Sequence, residues 1–406
     1  MVRQVTEQAS SHLLPAYGIG RENWDAPAHL AIGQLRMHEL FPTVALEPGE
    51  QVQVLPGSGN GLPVADLDFA DPLRPGEALG GVDFLNRRLF NDALIVIDAS
   101  GLRHESYRNG MRPDDRHVIH SCSKSLCAML VAIAVEAGRM QRENCITDYV
   151  PQLADIPAWQ GVSLQQVLDM QAGIEYSEDY ADPQAHYWCY ARSAGYYPPL
   201  PGEQVLGIEA WIVQNLRTRA ADPGSAFAYN SCLTNVLGMA LEHVYQQGLA
   251  QVFETHLYSR IGAEREAWFN TDRYGFPITE GQLNLSLRDF ARLALLLLHE
   301  GRNLAGEQVI PASFIQRITD SDANARQLYA AAATEGLFPE GQYKEQYWVT
   351  DPGAQQFTML GIHGQFAWLD LERQQLIAGF GSFPVQDGKL MMAALRNLWQ
   401  TISDAL

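Results

Sequence analysis

In the stretch HSCSKSLCAMLVAIAV, Lys124 is the one formally charged residue between Ser121 and Val135. The chain has three lysines, Lys124, Lys344 and Lys389, among 28 basic residues. A run this long and apolar, closing at Gly138, reads as a mostly buried helix. An amine buried there must find a partner or lose its proton, and the positive end of the helix dipole pushes the same way. Ser121 stands three residues earlier, so a helix puts its hydroxyl on the face of the amine, one turn away. An alcohol beside a neutral amine is a nucleophile with its base, the pair needed for acyl transfer. The helix start adds a backbone N–H for a developing oxyanion. The competing reading makes Ser121 or Ser123 a helix cap and lets Lys124 snorkel to solvent.

Two later stretches offer partners. PGSAFAYNSCLTNVLG puts Tyr229 just before a helix starting near Ser231. A free tyrosine is a poor base, but a neighbouring ammonium favours its phenolate, so Tyr229 would relay protons together with Lys124. GIHGQFAWLDLE puts His363 and Gly364 before a strand. Gly364 would permit close substrate approach, and Gln365 would point its N–H into the cleft opposite that of Ser121, completing an oxyanion hole. His363 is expected in a supporting role. In the loop Glu175 to Tyr197, Tyr180 is a candidate substrate contact, with Tyr187 and Trp188 as walls. There is no G-x-S-x-G or H-E-x-x-H, His117 and His120 lack a third ligand, and GSGNG lacks the Lys-Ser/Thr of a phosphate loop. No metal or cofactor is expected.

Several elements must position these groups. ALIVIDAS and HESYRNG read as a hairpin after a helix at VDFLNRRLF. The middle is helical: SLQQVLDM with a capping-box spacing at Ser163 and Gln166, then EQVLGIEAWIVQNL, SCLTNVLGMALEHVYQQ, AQVFETHLYSRI and SLRDFARLALLLLHEG. QYWVTD, QFTML, QFAWLDLE and QLIAGFGSF read as strands, and LMMAALRNLWQTIS as a closing amphipathic helix. The early hairpin cannot hide its apolar face alone, so it is expected to join the late strands in one sheet. The expectation is an α/β protein, an antiparallel sheet flanked by helices with an inserted, mostly helical domain. Residues 1–80, with one short helix at AHLAIGQLRMHEL, would form an arm on the body, 81–120 with 301–406 the sheet domain, and 121–300 the helical domain, with the site in the cleft between them.

On these residues the chain resembles the penicillin-recognising serine hydrolases, which include class C beta-lactamases, D-amino-acid peptidases and related esterases. That family has Ser-x-x-Lys at the start of a buried helix, a Tyr-x-Asn or Tyr-x-Ser across the cleft, and a Lys/His-x-Gly-like motif on a strand, in this order. Within it, the chain is most similar to aminohexanoate-dimer hydrolases and their carboxylesterase relatives, over roughly residues 80–400. The resemblance implies a beta-lactamase/transpeptidase-like fold and an acyl-enzyme on Ser121, with Lys124 and Tyr229 catalytic. It also implies that Ser231 takes the place of the beta-lactamase asparagine and that the 175–197 loop covers the substrate. Ile362 stands where beta-lactamases carry a carboxylate-attracting lysine, which argues against a dedicated beta-lactamase. Glu280, Gln282 and Asn284 fall where the family lines its pocket.

The expected reaction is hydrolysis of linear amides of small amino-acid oligomers. A carboxylesterase acting on short esters is the first alternative, and a small-molecule binder without turnover the second. With 47 acidic residues against 28 basic and a formal charge of -19, nucleic acid is a poor partner. No apolar run has the length of a membrane span, and the first twenty residues lack a signal-peptide core. Five cysteines without C-x-x-C spacing suit a reducing, cytoplasmic compartment. A homodimer is compatible with this surface.

Overall fold

The computed structural model describes residues 13–57, 59, 61–332 and 337–406. Its largest sheet has seven strands in the spatial order Gly101–Tyr107, Asn91–Asp98, Gln375–Gly381, Gln365–Asp370, Gln356–Gly361, Tyr347–Asp351 and Gln342–Lys344. Every neighbouring pair is antiparallel. The early hairpin thus pairs with the last strand, Ile97 facing Leu376 and Ile95 facing Ala378. The two-residue period of a strand decides which side chain goes to which face. Leu94, Val96, Phe366, Trp368 and Ile377 pack with Met391, Leu395 and Trp399 of the closing helix Lys389–Ala405. Ala93, Ile95, Ala367, Leu376 and Ala378 face the helical layer instead. Helices therefore cover both faces, and the two cores lie one on each side of the sheet.

Helix Cys122–Glu136 is buried nearly all round, as expected for a helix without a polar stripe. It packs against helix Ser231–Tyr245 and the strands near Gly361. Polar caps fix several helix starts. Ser163 and Gln166 form a reciprocal capping box, Asn230 Oδ1 accepts from Cys232 N at 2.9 Å, and Ser286 Oγ accepts from Asp289 N at 3.2 Å. Each such cap is worth about 1 kcal/mol.

A second sheet, not foreseen from sequence, runs Thr43–Leu46, Ala267–Asn270, Leu283–Leu285, His117–Val118. It joins three distant parts of the chain just where the Ser121 turn begins, and Ile119 N donates to Leu283 O at 2.9 Å. Residues 13–46 are sewn into the body: Trp24, Leu30, Met37 and Leu46 are buried, and Leu14, Trp24, Met37 and Leu46 share the core of the helical layer. Residues 1–12 of the expected arm, and Ser58 and Asn60 of the GSGNG turn, lie outside the described residues. Among the described residues no helix is long and apolar enough to cross a membrane.

Candidate active site

Ser121 is the residue before helix Cys122–Glu136, and its hydroxyl makes no capping bond. Lys124 is 1 % exposed, so neither the cap nor the snorkelling reading describes this pair. Lys124 Nζ lies 2.8 Å from Ser121 Oγ and donates to Glu280 O at 2.6 Å. Burial pushes the amine below its ordinary value, with Glu178 and Glu280 opposing the shift. Burial likewise pushes the Glu280 carboxyl up. Both groups are driven toward their uncharged forms.

Glu280 is held from the other side by the Tyr190 and Tyr196 hydroxyls at 2.7 and 2.9 Å. Its role is positional: its backbone oxygen aims the amine at Ser121. The sequence does not single out Glu280, because its contact to Lys124 is a carbonyl that any residue carries.

Tyr229 closes the opposite side. The Lys124 amine stands 5.2 Å from its ring centre, and its hydroxyl bonds with Ser121. Burial raises this phenol well above its ordinary value, more than the Ser121 bond lowers it. Burial thus opposes the phenolate form that a neighbouring ammonium would favour. A half-buried ring beside an amine that is itself losing charge keeps its proton, and so Tyr229 is built to donate.

The third motif is also redistributed. Gly361 ends its strand against the Ser121 turn: a Cβ added there would lie 2.6 Å from Ile119 O and 3.1 Å from His120 Cβ. The close approach needs this glycine. Gly364, assigned that task from sequence, has φ +89° in the hairpin turn, and its missing Cβ faces Leu89, Gly381 and Met391. Gln365 starts the next strand opposite Gly361. Its buried side chain donates to Gly381 O at 2.8 Å and to Ile362 O at 3.2 Å, and accepts from Gly381 N, fastening the hairpin to the neighbouring strand. Ile362, the residue after that strand, lines the slot that His120 also lines, whereas Gln365 pairs back with Gly361. His363 is buried, with Nδ1 2.8 Å from Phe383 O and its ring 5.6 Å from that of His120.

The 175–197 segment, expected as a loop, holds the helix His186–Ala194 and folds over this centre. Ser231 N and Oγ donate to the two oxygens of Glu178 at 2.7 and 2.5 Å, and Tyr180 Oη donates to Glu178 at 2.9 Å. Glu178 thus occupies Ser231, a contact missed in the sequence because the loop offers several acids with nothing to rank them. Tyr180, Tyr187, Trp188, Tyr196, Tyr197 and Trp24 wall a narrow slot with a free volume of about 10 Å³. His120, Ile362 and His363 line the same slot and connect it to the Ser121 turn. A wider groove of about 660 Å³, open to solvent between Glu136 and Arg317, holds none of these groups. Among the described residues no cluster of His, Cys, Asp or Glu is placed to hold a metal ion.

Comparison with known proteins agrees with this architecture. A 6-aminohexanoate-dimer hydrolase of Paenarthrobacter ureafaciens is 33 % identical over 340 residues, covering 81 % of this chain and 84 % of that protein. A solved structure from Bacillus anthracis, provisionally named a 6-aminohexanoate-dimer hydrolase, superposes with a TM-score of 0.83 at 22 % identity, covering 95 % of this chain and 97 % of that one. EstCE1, a hydrolase with promiscuous acyltransferase activity, shares the fold with a TM-score of 0.62 at 14 % identity, over 78 % of this chain and 96 % of its own. The Beta-lactamase family profile matches residues 86–405, which span both ends of the large sheet and everything between them, and the chain belongs to that family of hydrolases.

Proposed function

We propose that the protein is a serine amidohydrolase that cleaves linear amides of small amino-acid oligomers through an acyl-enzyme on Ser121. One observation carries the reading: a buried amine, depressed by desolvation, 2.8 Å from an uncapped serine hydroxyl. Lys124 takes the Ser121 proton as the oxygen attacks the amide carbonyl. The N–H groups of Ser121 and Ile362 receive the oxyanion. Tyr229 gives its proton to the departing nitrogen, the C–N bond breaks, and Lys124 returns a proton to Tyr229. Water, deprotonated by the same pair, then attacks the ester carbonyl and releases Ser121.

The catalytic cleft lies between the sheet formed by 81–120 with 301–406 and the helical part 121–300. The relatives' substrate supports the linear-amide class. So does the slot, whose wall residues include no lysine or arginine to attract a beta-lactam carboxylate. Five unpaired cysteines support a reducing, cytoplasmic setting.

Rates on aminohexanoate dimer, short nitrophenyl esters and nitrocefin test the reading. Turnover of dimer and esters with nitrocefin slowest is expected; fast ester turnover with none of the dimer would make the protein a carboxylesterase, as the narrow slot would also allow. Tyr229→Phe separates the proton steps. An amine must be protonated to leave and nitrophenolate need not be, so amide turnover should fall about 100-fold or more and ester turnover by less than about tenfold. Equal losses would move Tyr229 from the leaving group to the activation of Ser121.

A further inference from the structure

The slot beside Ser121 has one formally charged wall residue, and it comes from the N-terminal segment. Asp25 lines the slot, half-buried, and accepts from Tyr197 Oη at 2.6 Å through Oδ2. Among the described residues it has no ion-pair partner. Its neighbour Trp24 is 2 % exposed, anchored by Nε1 to Tyr196 O at 3.3 Å, and stacks with the rings of His120 and Tyr197. The anchor fixes where Asp25 stands.

A second observation points to a ligand. His120 is 3 % exposed, faces the slot, and its Nε2 has no hydrogen-bond partner; the indole nitrogen of Trp188, on the same wall, has none either. Buried polar atoms are left unpaired at a cost, and such a set converging on one cavity marks a place where something polar binds. A lone carboxylate, an imidazole nitrogen and the faces of Tyr180, Tyr187 and Trp188 suit a compact cation, which gains from both the charge and the ring quadrupoles. Asp25 is the one formal charge on the wall and repels an anion.

We propose that this slot receives a primary ammonium on the acyl part of the substrate, with Asp25 as its counter-charge, so that the N-terminal segment determines specificity. The inference rests on the acyl-enzyme reading above. His120 adjoins Ser121 in the chain, and His120 and Ile362 both wall the slot, which puts the slot next to the acyl group held on Ser121.

The test compares kcat/KM for nitrophenyl 6-aminohexanoate and its N-acetyl analogue in the full-length enzyme. The wild type should favour the free amine about tenfold or more. Asp25→Asn should bring that ratio to within about twofold of one, chiefly through KM. Tyr197→Phe, which removes the hydroxyl partner but keeps the carboxylate, should retain the preference. Hexylammonium should compete with the ester while hexanol does not, a measurement that decides the matter even if the Asn variant fails to fold. A wild-type ratio near one, or a preference untouched by Asp25→Asn, would overturn the inference and leave the acyl-enzyme standing. Failure of both esters to acylate Ser121 would instead overturn the proposed function.

Discussion

Ser121→Ala should remove the covalent adduct that an acylating probe leaves on the wild-type protein, and lower kcat by about 10⁴- to 10⁶-fold. The size of the loss follows from the geometry. Among the described residues Ser121 is the one serine bonded to the Lys124 amine, while Ser123 and Ser125 are engaged elsewhere: Ser123 Oγ accepts from Leu283 N and Ser125 Oγ donates to Gln346 O. No neighbour can replace it. The variant should fold as the wild type does, because this hydroxyl caps nothing. Intact-mass spectrometry after labelling is the measurement, and undiminished labelling of the alanine variant would place the nucleophile elsewhere.

Lys124→Met should cost nearly as much, about 10⁴-fold in kcat/KM, because the serine then loses its base while its position is kept. Methionine matches the lysine stem in a site that is 1 % exposed, so a thermal melt should show the fold retained. In the wild type, the acylation rate should rise with pH through the depressed value of this amine and level off below the ordinary lysine range. Stability follows the same group. In the unfolded chain the amine holds its proton up to its ordinary value, whereas in the folded protein it releases it earlier, so between those two values the unfolded state binds more protons. The contribution of Lys124 to stability therefore grows as pH rises across that window and is lost as pH falls through the folded value. The methionine variant should lack both dependences; a persisting rate rise would mean another base.

The pair itself was legible because lysine is scarce and the run around it apolar, so burial could be inferred from composition alone. The capping box at Ser163 and the strands at 347–381 were legible for a similar reason, since both are local patterns. What failed was nonlocal. The sheet Thr43–Leu46, Ala267–Asn270, Leu283–Leu285, His117–Val118 is built of strands two to four residues long, too short to show a period. The weight given to a phenolate form at Tyr229 left out the partial burial of its ring on folding. Gln365 and Gly364 were assigned to the cleft because where a strand ends cannot be read to within three residues, yet that decides whether Gly361 or Gly364 meets the Ser121 turn. Asp25 was invisible for the opposite reason: nothing in its own neighbourhood says it will meet Tyr197.

The pairing of Asn91–Asp98 with Gln375–Gly381 also governs how the protein can be made. While the ribosome is still adding the middle of the chain, the nascent hairpin carries an apolar face and one bare edge that only the final strand can cover. Synthesis halted before that strand would leave a fragment unable to close its own fold and ready to pair with another copy. Chaperone shelter during translation should therefore matter more to this protein than to one whose neighbouring strands follow each other in sequence.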